Sequence, residues 1–538
     1  MATTAQTSHT SARLRPVPVS STLLQLRLDR GPGAPPLYRQ IYTHVRAAIL
    51  AGTLASDTRL PPERTLAAAL GVNRTTVMHA FGELAADGLV VARPGRGTRV
   101  RSSLPGDTLD GHETIRSLPR DHIWLLGLPA LSQSQLGLDA AVLRHITDRD
   151  RHSSVISFAG GTPGPELIPI DDIREALDRA LTKVGAAGLD YAAVEGMEEL
   201  RCAISSRLAT QGLDVSPDEV MIVSGATQGI ALLAQALLEP GDTVVVEAPT
   251  YVGALQTFAM ARARIIGLPV DDQGLRVDAL ETVLARERVR FIFVQPNQQN
   301  PTGTTLSPAR RERLLWLSRR HGVPIVEDNA YGELWHVQPG PRSLKSADHG
   351  SLVMTIGTFS KTLAPGLRIG WITAPVPIIG RFALIKQFAD LSSGALSQLA
   401  IADMLTQGVY DEHLIRVRRA YLERREAMVT ALTSIPTLTV SSWSRGGFYL
   451  WCHLASGYAA RLVAAAAFRG GVPVLAGDHF YPPADRGRDD GSNRVRLSFA
   501  GSPPCTIVEG VALLARVFEH LPPLSGDEPH PRSLRPLI

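Results

Sequence analysis

The chain has 538 residues, 44% hydrophobic and 20% charged, with a net charge of +4. That length is too great for one core and predicts three or four units at ~100–200 residues each, while the apolar fraction excludes wholesale disorder. No apolar run approaches the ~18 residues a membrane helix needs, and the N-terminus carries no apolar signal-peptide core.

Cys202, Cys452 and Cys505 are few, odd in number and widely spaced, which points to neither a disulfide framework nor a zinc site. The histidines form no metal spacing such as H-E-x-x-H, so no metal is expected. The expected location is the cytoplasm, with no membrane partner. Charge divides the chain. From Leu37 to Arg101 there are nine Arg and no Lys against four acids, so a basic module is attached to a nearly neutral remainder. A basic module predicts an anionic partner such as nucleic acid. Only four lysines occur, Lys183, Lys345, Lys361 and Lys386, and a Lys that survives where Arg is otherwise preferred marks a need for an amine.

Residues 1–33, rich in Ser, Thr, Pro and Gly, read as a disordered tail. Leu37, Ile41, Val45, Ala48 and Ile49 then recur at helical spacing up to Gly52. Pro61 and Pro62 open a short Ala-rich helix ending at Gly71. Asn73 is placed to cap a third helix with Val77, Phe81 and Leu84 on one face and Gly88 at its stop. LVVARPGRGTRV is two short strands about a turn. Three helices and a hairpin describe a winged helix-turn-helix over 34–101. The string LPPERTLAAALGVNRTTVMHAFGELAADGLVVARPGRGTRV resembles the GntR-type DNA-binding domain, with LP-x-x-R-x-LA, R-T-T-V and G-x-G-T in order.

Residues 102–150 form a connector in which Ile123–Gln133 is too apolar to stay fully exposed. From 151 to about 523, apolar strand-like runs at 220–223, 243–247, 264–268, 290–294, 323–327 and 352–356 alternate with helical stretches, which predicts an α/β sheet with helices on both faces. Residues 524–538 read as a C-terminal tail. Ligands in such sheets bind at the carboxyl ends of the strands. Those ends carry Ser224-Gly225-Ala226-Thr227, then Tyr251, then Gln295 to Gly303, then Asp328-Asn329-Ala330-Tyr331, then Thr358 to Lys361 and Arg368. A small-residue turn entering a helix is a phosphate cup. An amine, a carboxylate, a phenol, an amide and a guanidinium beside it are what pyridoxal phosphate requires. Its aldehyde is held by a Lys, and its ring nitrogen is kept protonated by a carboxylate.

This region is similar to fold-type I aminotransferases of the α-aminoadipate, kynurenine and aromatic branch, through NPTG, D-x-A-Y, SK with R-x-G-W, GGFYLW and R-L-S-F. The resemblance implies a mixed, mostly parallel sheet with helices on both faces and a small α+β C-terminal subdomain. It also implies roles: Lys361 tethers pyridoxal 5'-phosphate and Asp328 pairs with its ring nitrogen. Asn300 and Tyr331 bond its 3-oxygen, and Tyr251 stacks on its ring. Ala226, Thr227, Thr358, Ser360 and Arg368 hold the phosphate, with Tyr191 reaching it from a second subunit. Arg496 clamps an α-carboxylate.

Together the two resemblances identify a member of the MocR/GabR family of transcriptional regulators. The family implies a homodimer, promoter half-sites as DNA partner, and a small amine, an amino acid or the cofactor as effector. On DNA, Asn73, Arg74, Thr75 and Thr76 are expected in the major groove, Arg64 on phosphate, and Arg96 in the wing on backbone or minor groove. Met78 stands where several GntR-like domains have Arg, so base preference does not carry over. The intact Asn300-Pro301-Thr302-Gly303, Asp328, Lys361 and Arg496 leave open a second reading, an active aminotransferase with an accessory DNA-binding domain.

Overall fold

The computed structural model describes residues 26, 28–31, 35–50, 54, 58–86, 89–93, 97–100, 155–336, 340–348, 352–441, 444–482 and 490–523. The chain divides into two compact units, the first ending at Leu128. Arg96 of the wing, the connector 102–150 and the tail 524–538 lie outside the described residues.

In the first unit, α1 (Leu37–Leu50), α2 (Glu63–Leu70) and α3 (Arg74–Ala86) precede the antiparallel hairpin of β1 (Val90–Arg93) and β2 (Gly97–Val100). The apolar faces read from periodicity are the buried ones: Ile41, Val45 and Ile49 of α1 close on Val77, Phe81 and Leu84 of α3. Pro62 precedes α2, and Gly71 ends it in the left-handed conformation, donating its N–H to Ala67 and Ala68. Thr58 and Leu60 pair with β2 and extend the wing (Val100 N to Thr58 O 2.8 Å; Leu60 N to Thr98 O 2.9 Å). The expected tail ends earlier than residue 33. Leu26 and Leu28 pack on this core, and Arg30 Nη2 donates to Gly71 O (2.7 Å), satisfying a carbonyl at the end of α2.

In the second unit α4 (Ile170–Val184) and α5 (Glu198–Thr210) precede β3 (Val220–Val223) and α6 (Ala226–Leu237). Next come β4 (Thr243–Ala248), α7 (Val252–Met260), β5 (Arg264–Asp271), β6 (Gly274–Leu275) and α8 (Val277–Leu284). They are followed by β7 (Val289–Val294), α9 (Pro308–His321), β8 (Ile325–Asp328), β9 (Val353–Thr358) and β10 (Gly370–Thr373). Three helices, α10 (Val376–Ala389), α11 (Ala395–Thr406) and α12 (Val409–Leu432), lead to β11 (Leu438–Val440) and β12 (Tyr449–Leu454). The unit closes with α13 (Ala460–Arg469), β13 (Leu475–Ala476), β14 (Arg494–Ser498) and α14 (Pro504–His520).

The main sheet has the order β3-β10-β9-β8-β7-β4-β5-β6. Its central strands β9, β8, β7, β4 and β5 are parallel; β10 runs against both its neighbours and β6 against β5. Successive residues of β4 and β7 alternate between two apolar layers, Val244, Val246, Phe291 and Phe293 on one side and Val245, Ile292 and Val294 on the other. Both faces are covered, which is why these strands read as mostly apolar runs, with Arg290 of β7 the exposed exception. β10 falls inside a motif read only as a strand-end signature. A second, antiparallel sheet has the order β11-β12-β14-β13. Residues 156–158 run along it, with Phe158 N on Pro473 O (2.9 Å) and Ser498 N on Phe158 O (2.8 Å). Among the described residues, no helix is long and apolar enough to cross a membrane, and no group of side chains has a metal-binding arrangement.

Candidate functional site

Parallel strands deliver their last residues to one edge of the main sheet. Asp328 ends β8 with 3% exposure; its Oδ2 accepts from Gln295 Nε2 (2.8 Å) and its Oδ1 from Ala330 N (3.2 Å). Burial pushes this carboxyl up to about 6, against the pull of those two donors and of Lys361. Lys361 follows β9, and its Nζ donates to Gly161 O (2.7 Å). Burial draws its pKa below the usual lysine range; Tyr449 and Asp328 oppose that shift, while Arg496 and Arg368 add to it. The amine and the carboxylate therefore share one electrostatic neighbourhood. Gly161 leaves room for Tyr449, since a Cβ there would collide with the Tyr449 hydroxyl.

The phenols of Tyr331 and Tyr449 meet at 3.0 Å, and burial holds the Tyr331 hydroxyl well above its ordinary pKa. Asn300 accepts from Arg496 Nη1 through its Oδ1 (2.9 Å). Arg496, on β14, also donates Nη2 to Ala159 O (2.6 Å), and its guanidinium lies 4.0 Å above the Tyr449 ring. Its buried Nε has no partner among the described residues. Tyr251 hydrogen-bonds Thr227; burial raises its pKa, with Asp328 and Tyr449 adding to that and Arg496 opposing.

Beside these, α6 begins at Ala226 with no side-chain cap, so its first N–H groups stay available to an anion. Gly225 holds a φ of 83°, and a Cβ there would collide with the Arg368 guanidinium at 2.7 Å. Arg368 itself sits at φ 55° and donates to Ser224 O (2.7 Å), while Thr358 Oγ1 bonds Ser360 Oγ (3.1 Å). Of the residues singled out from sequence, these come together in one cluster. Tyr191 does not: it is 79% exposed and joins none of these bonds. A cavity of about 1080 Å³ opens in the same unit, lined by Lys183, Arg207, Asn297, Asn329, Glu333 and Arg342 among others; none of the residues given a cofactor or effector role lines it.

Three participants escaped the sequence reading. Tyr449 lay inside the quoted GGFYLW without a role. Gln295 lay inside the quoted strand-end string. Glu247, at the end of TVVVE, is 2% exposed and accepts from Gln295 N (2.9 Å) and Gln299 Nε2 (3.3 Å). Burial lifts its carboxyl to about 8. An acid ending an otherwise apolar buried strand was the available signal.

In the first unit, Arg64, Asn73, Arg74, Thr75 and Met78 are exposed and Thr76 is half-buried. Arg74 is not free: its Nε and Nη2 both donate to Glu63 Oε2 at 3.1 Å, bracing the start of α3 against α2.

The carboxyl-edge cluster on a mixed eight-stranded sheet, with a winged helix ahead of it, defines a class I and II aminotransferase-type protein carrying a DNA-binding domain. Residues 154–513 match the family described as aminotransferase class I and II, and residues 37–100 that of bacterial regulatory proteins, gntR family. The chain is 33% identical over 499 residues to the probable rhizopine catabolism regulatory protein MocR of Rhizobium meliloti, covering 92% of this chain and 96% of that protein. It is 36% identical over 423 residues to the uncharacterized HTH-type transcriptional regulator YisV of Bacillus subtilis, covering 77% and 84%. The α-aminoadipate aminotransferase LysN of Thermus thermophilus, crystallised with N-(5'-phosphopyridoxyl)-L-leucine, superimposes with a TM-score of 0.67 at 33% identity, covering 74% of this chain and 98% of that one. The chain belongs to the MocR family of GntR-type transcription regulators, whose aminotransferase-like domain is of the pyridoxal-phosphate-dependent kind.

Proposed function

We propose that this regulator senses a small amine or amino acid through pyridoxal phosphate at Lys361 and answers by changing its affinity for promoter DNA. The carrying observation is that a half-buried amine, a buried carboxylate and a buried guanidinium, Lys361, Asp328 and Arg496, lie within one electrostatic cluster. The cofactor fits these residues. An uncapped helix start suits its phosphate, Asp328 suits a protonated ring nitrogen, and Lys361 suits its aldehyde. Bound there, it supplies an electrophilic carbon that primary amines attack reversibly.

The chain's own groups do the rest. Lys361, whose pKa burial draws below the usual lysine range, tethers the cofactor and can serve as a base once released. Asp328 holds a proton on the ring nitrogen, Asn300 and Tyr331 bond the 3-oxygen, and Tyr251 covers the ring. Ala226, Thr227, Thr358, Ser360 and Arg368 take the phosphate, joined by Tyr191 from a second copy in a homodimer. Arg496 takes the effector's carboxylate. Arg64, Asn73, Arg74, Thr75, Thr76 and Arg96 face half-sites on DNA. The units are 34–101 for DNA binding, 102–150 as connector and 151–523 for sensing, in a cytoplasmic protein. A ligand changes DNA affinity only by its differential binding to two arrangements of the protein.

The test is retardation of the DNA upstream of the chain's own gene by the cofactor-loaded protein, with and without candidate amines. Lys361→Ala should keep basal retardation while losing both the visible absorption and the amine response. An amine response that persists in Lys361→Ala, or no retardation by the wild type, overturns the reading. The complete set Asn300, Asp328, Lys361 and Arg496 favours a second reading, a working aminotransferase; steady-state amino transfer at ~1 s⁻¹ or more would establish it.

A further inference from the structure

Gln295, the first residue past β7, is 2% exposed, and its side chain bridges two site residues that are 28 positions apart in the chain. Its Nε2 donates to Asp328 Oδ2 (2.8 Å), and its Oε1 accepts from Asn300 N (3.1 Å). Its own backbone N–H is fixed on Glu247 Oε2 (2.9 Å). Asn300 continues the path, accepting from Arg496 Nη1 (2.9 Å). A carboxylate accepts only and a backbone N–H donates only, so a reversed amide would face acceptor with acceptor and donor with donor. Both bonds form together or fail together. We propose that Gln295 is a positioning residue which locks Asp328 and Asn300 into one arrangement and thereby links the ring-nitrogen carboxylate to the Arg496 carboxylate clamp.

This proposal rests on the cofactor reading above. A ligand carboxylate that recruits the Arg496 fork competes with Asn300 for the same guanidinium. Any shift of Asn300 reaches Asp328 through the one amide that holds both. Glutamine is suited to this post because glutamate would offer acceptors to Asp328, and methionine, of similar length, would offer neither group.

The experiment measures the dissociation constant of pyridoxal phosphate from the full-length chain, by its visible absorption, in Gln295→Met, Arg496→Met and the double variant. Gln295→Met should raise the constant ~10-fold, the loss of one hydrogen bond to a charged group. The double variant should be no weaker than ~3-fold beyond the weaker single, because the two changes break one path. Gln295→Glu supplies a rescue test that a packing role would not pass: its protonated form can donate to Asp328 and still accept from Asn300. Its affinity should therefore approach the wild type at low pH and fall away as the pH rises, over a range where the wild type changes less. Strict multiplication of the two single effects, or a Gln295→Glu whose ratio to wild type is the same at every pH, overturns the proposal. Should Gln295→Met not fold, the pH contrast in Gln295→Glu alone decides between those outcomes. A wild type that shows no Lys361-dependent absorption at all removes the cofactor reading together with this one, whereas normal absorption with multiplicative effects removes only the role of Gln295.

Discussion

Glu247→Gln tests the electrostatics of the site from behind. The carboxyl is 2% exposed, and burial raises its pKa from the ordinary 4.5 to about 8. The folded chain thus keeps this proton up to about pH 8, while the unfolded chain gives it up near pH 4.5. Between those values the folded state binds more protons, so stability falls as pH rises. Each pH unit costs about 1.4 kcal/mol per group, and from pH 5 to pH 8 that is about 4 kcal/mol. Asp328, raised to about 6, contributes in the same direction over a shorter window that closes near pH 6. Glutamine keeps an acceptor for Gln295 N and carries no titratable proton. The cofactor-free wild type should therefore lose stability steeply from pH 5 to pH 9, and Glu247→Gln should lose about 4 kcal/mol less over that range. Urea midpoints read by tryptophan fluorescence at pH 5, 7 and 9 measure it. Wild type and variant falling in parallel across that range would show that Glu247 is already ionised in the fold, and the reasoning would be wrong.

Arg496→Lys keeps the charge and loses the planar fork, so a carboxylate probe should bind ~10–100-fold more weakly in spectral titration while the apo-protein stays folded. Arg74→Ala should lower affinity for the chain's promoter DNA ~10-fold. Its exposed ion pair with Glu63 is worth only about 0–1 kcal/mol, so the domain's thermal midpoint should barely move. Glu63→Gln, by releasing Arg74 and removing a nearby negative charge, should instead tighten binding a few-fold, most clearly at low salt in retardation assays. In Arg496→Met, hydrogen exchange at the amides of Ile156 and Phe158 should quicken, because the Nη2 bond that pins Ala159 O is gone.

Much of the sheet was legible because β4, β7, β8 and β9 are largely buried on both faces and so are mostly apolar, with Arg290, Glu327 and Thr355 as polar exceptions. The residue after such a run must leave the sheet at its ligand-binding edge, which is why Asp328 and Lys361 stood out. β10 was less legible. It has four residues, begins with a glycine, and runs antiparallel between neighbours that are far apart in the chain. Tyr449 and Arg496 belong to the smaller sheet, and only its packing against 159–161 and 300 gives them their place. Gln295 and Glu247 depend on the lateral order of β4, β7 and β8, which pattern alone does not reveal. The pairing of Arg74 with Glu63 spans a helix-to-helix corner, so a residue that looked free for DNA carries an intramolecular partner. Tyr191 was assigned through a second copy, and in a single chain it is simply exposed.

Two donors expected to serve ligands are engaged with the same short segment when the chain is alone. Lys361 Nζ rests on Gly161 O, and Arg496 Nη2 on Ala159 O. That segment continues directly from residues 156–158, which are bonded along the smaller sheet through Gly471, Pro473 and Ser498. On the proposed function, a covalent bond at Lys361 would take its Nζ from Gly161 O, and a carboxylate at Arg496 would compete with Ala159 O for Nη2. The carbonyls must then find water or new donors, since leaving them buried and unpaired costs about 1–3 kcal/mol each. Both carbonyls belong to residues 155–161, the first described stretch of the second unit.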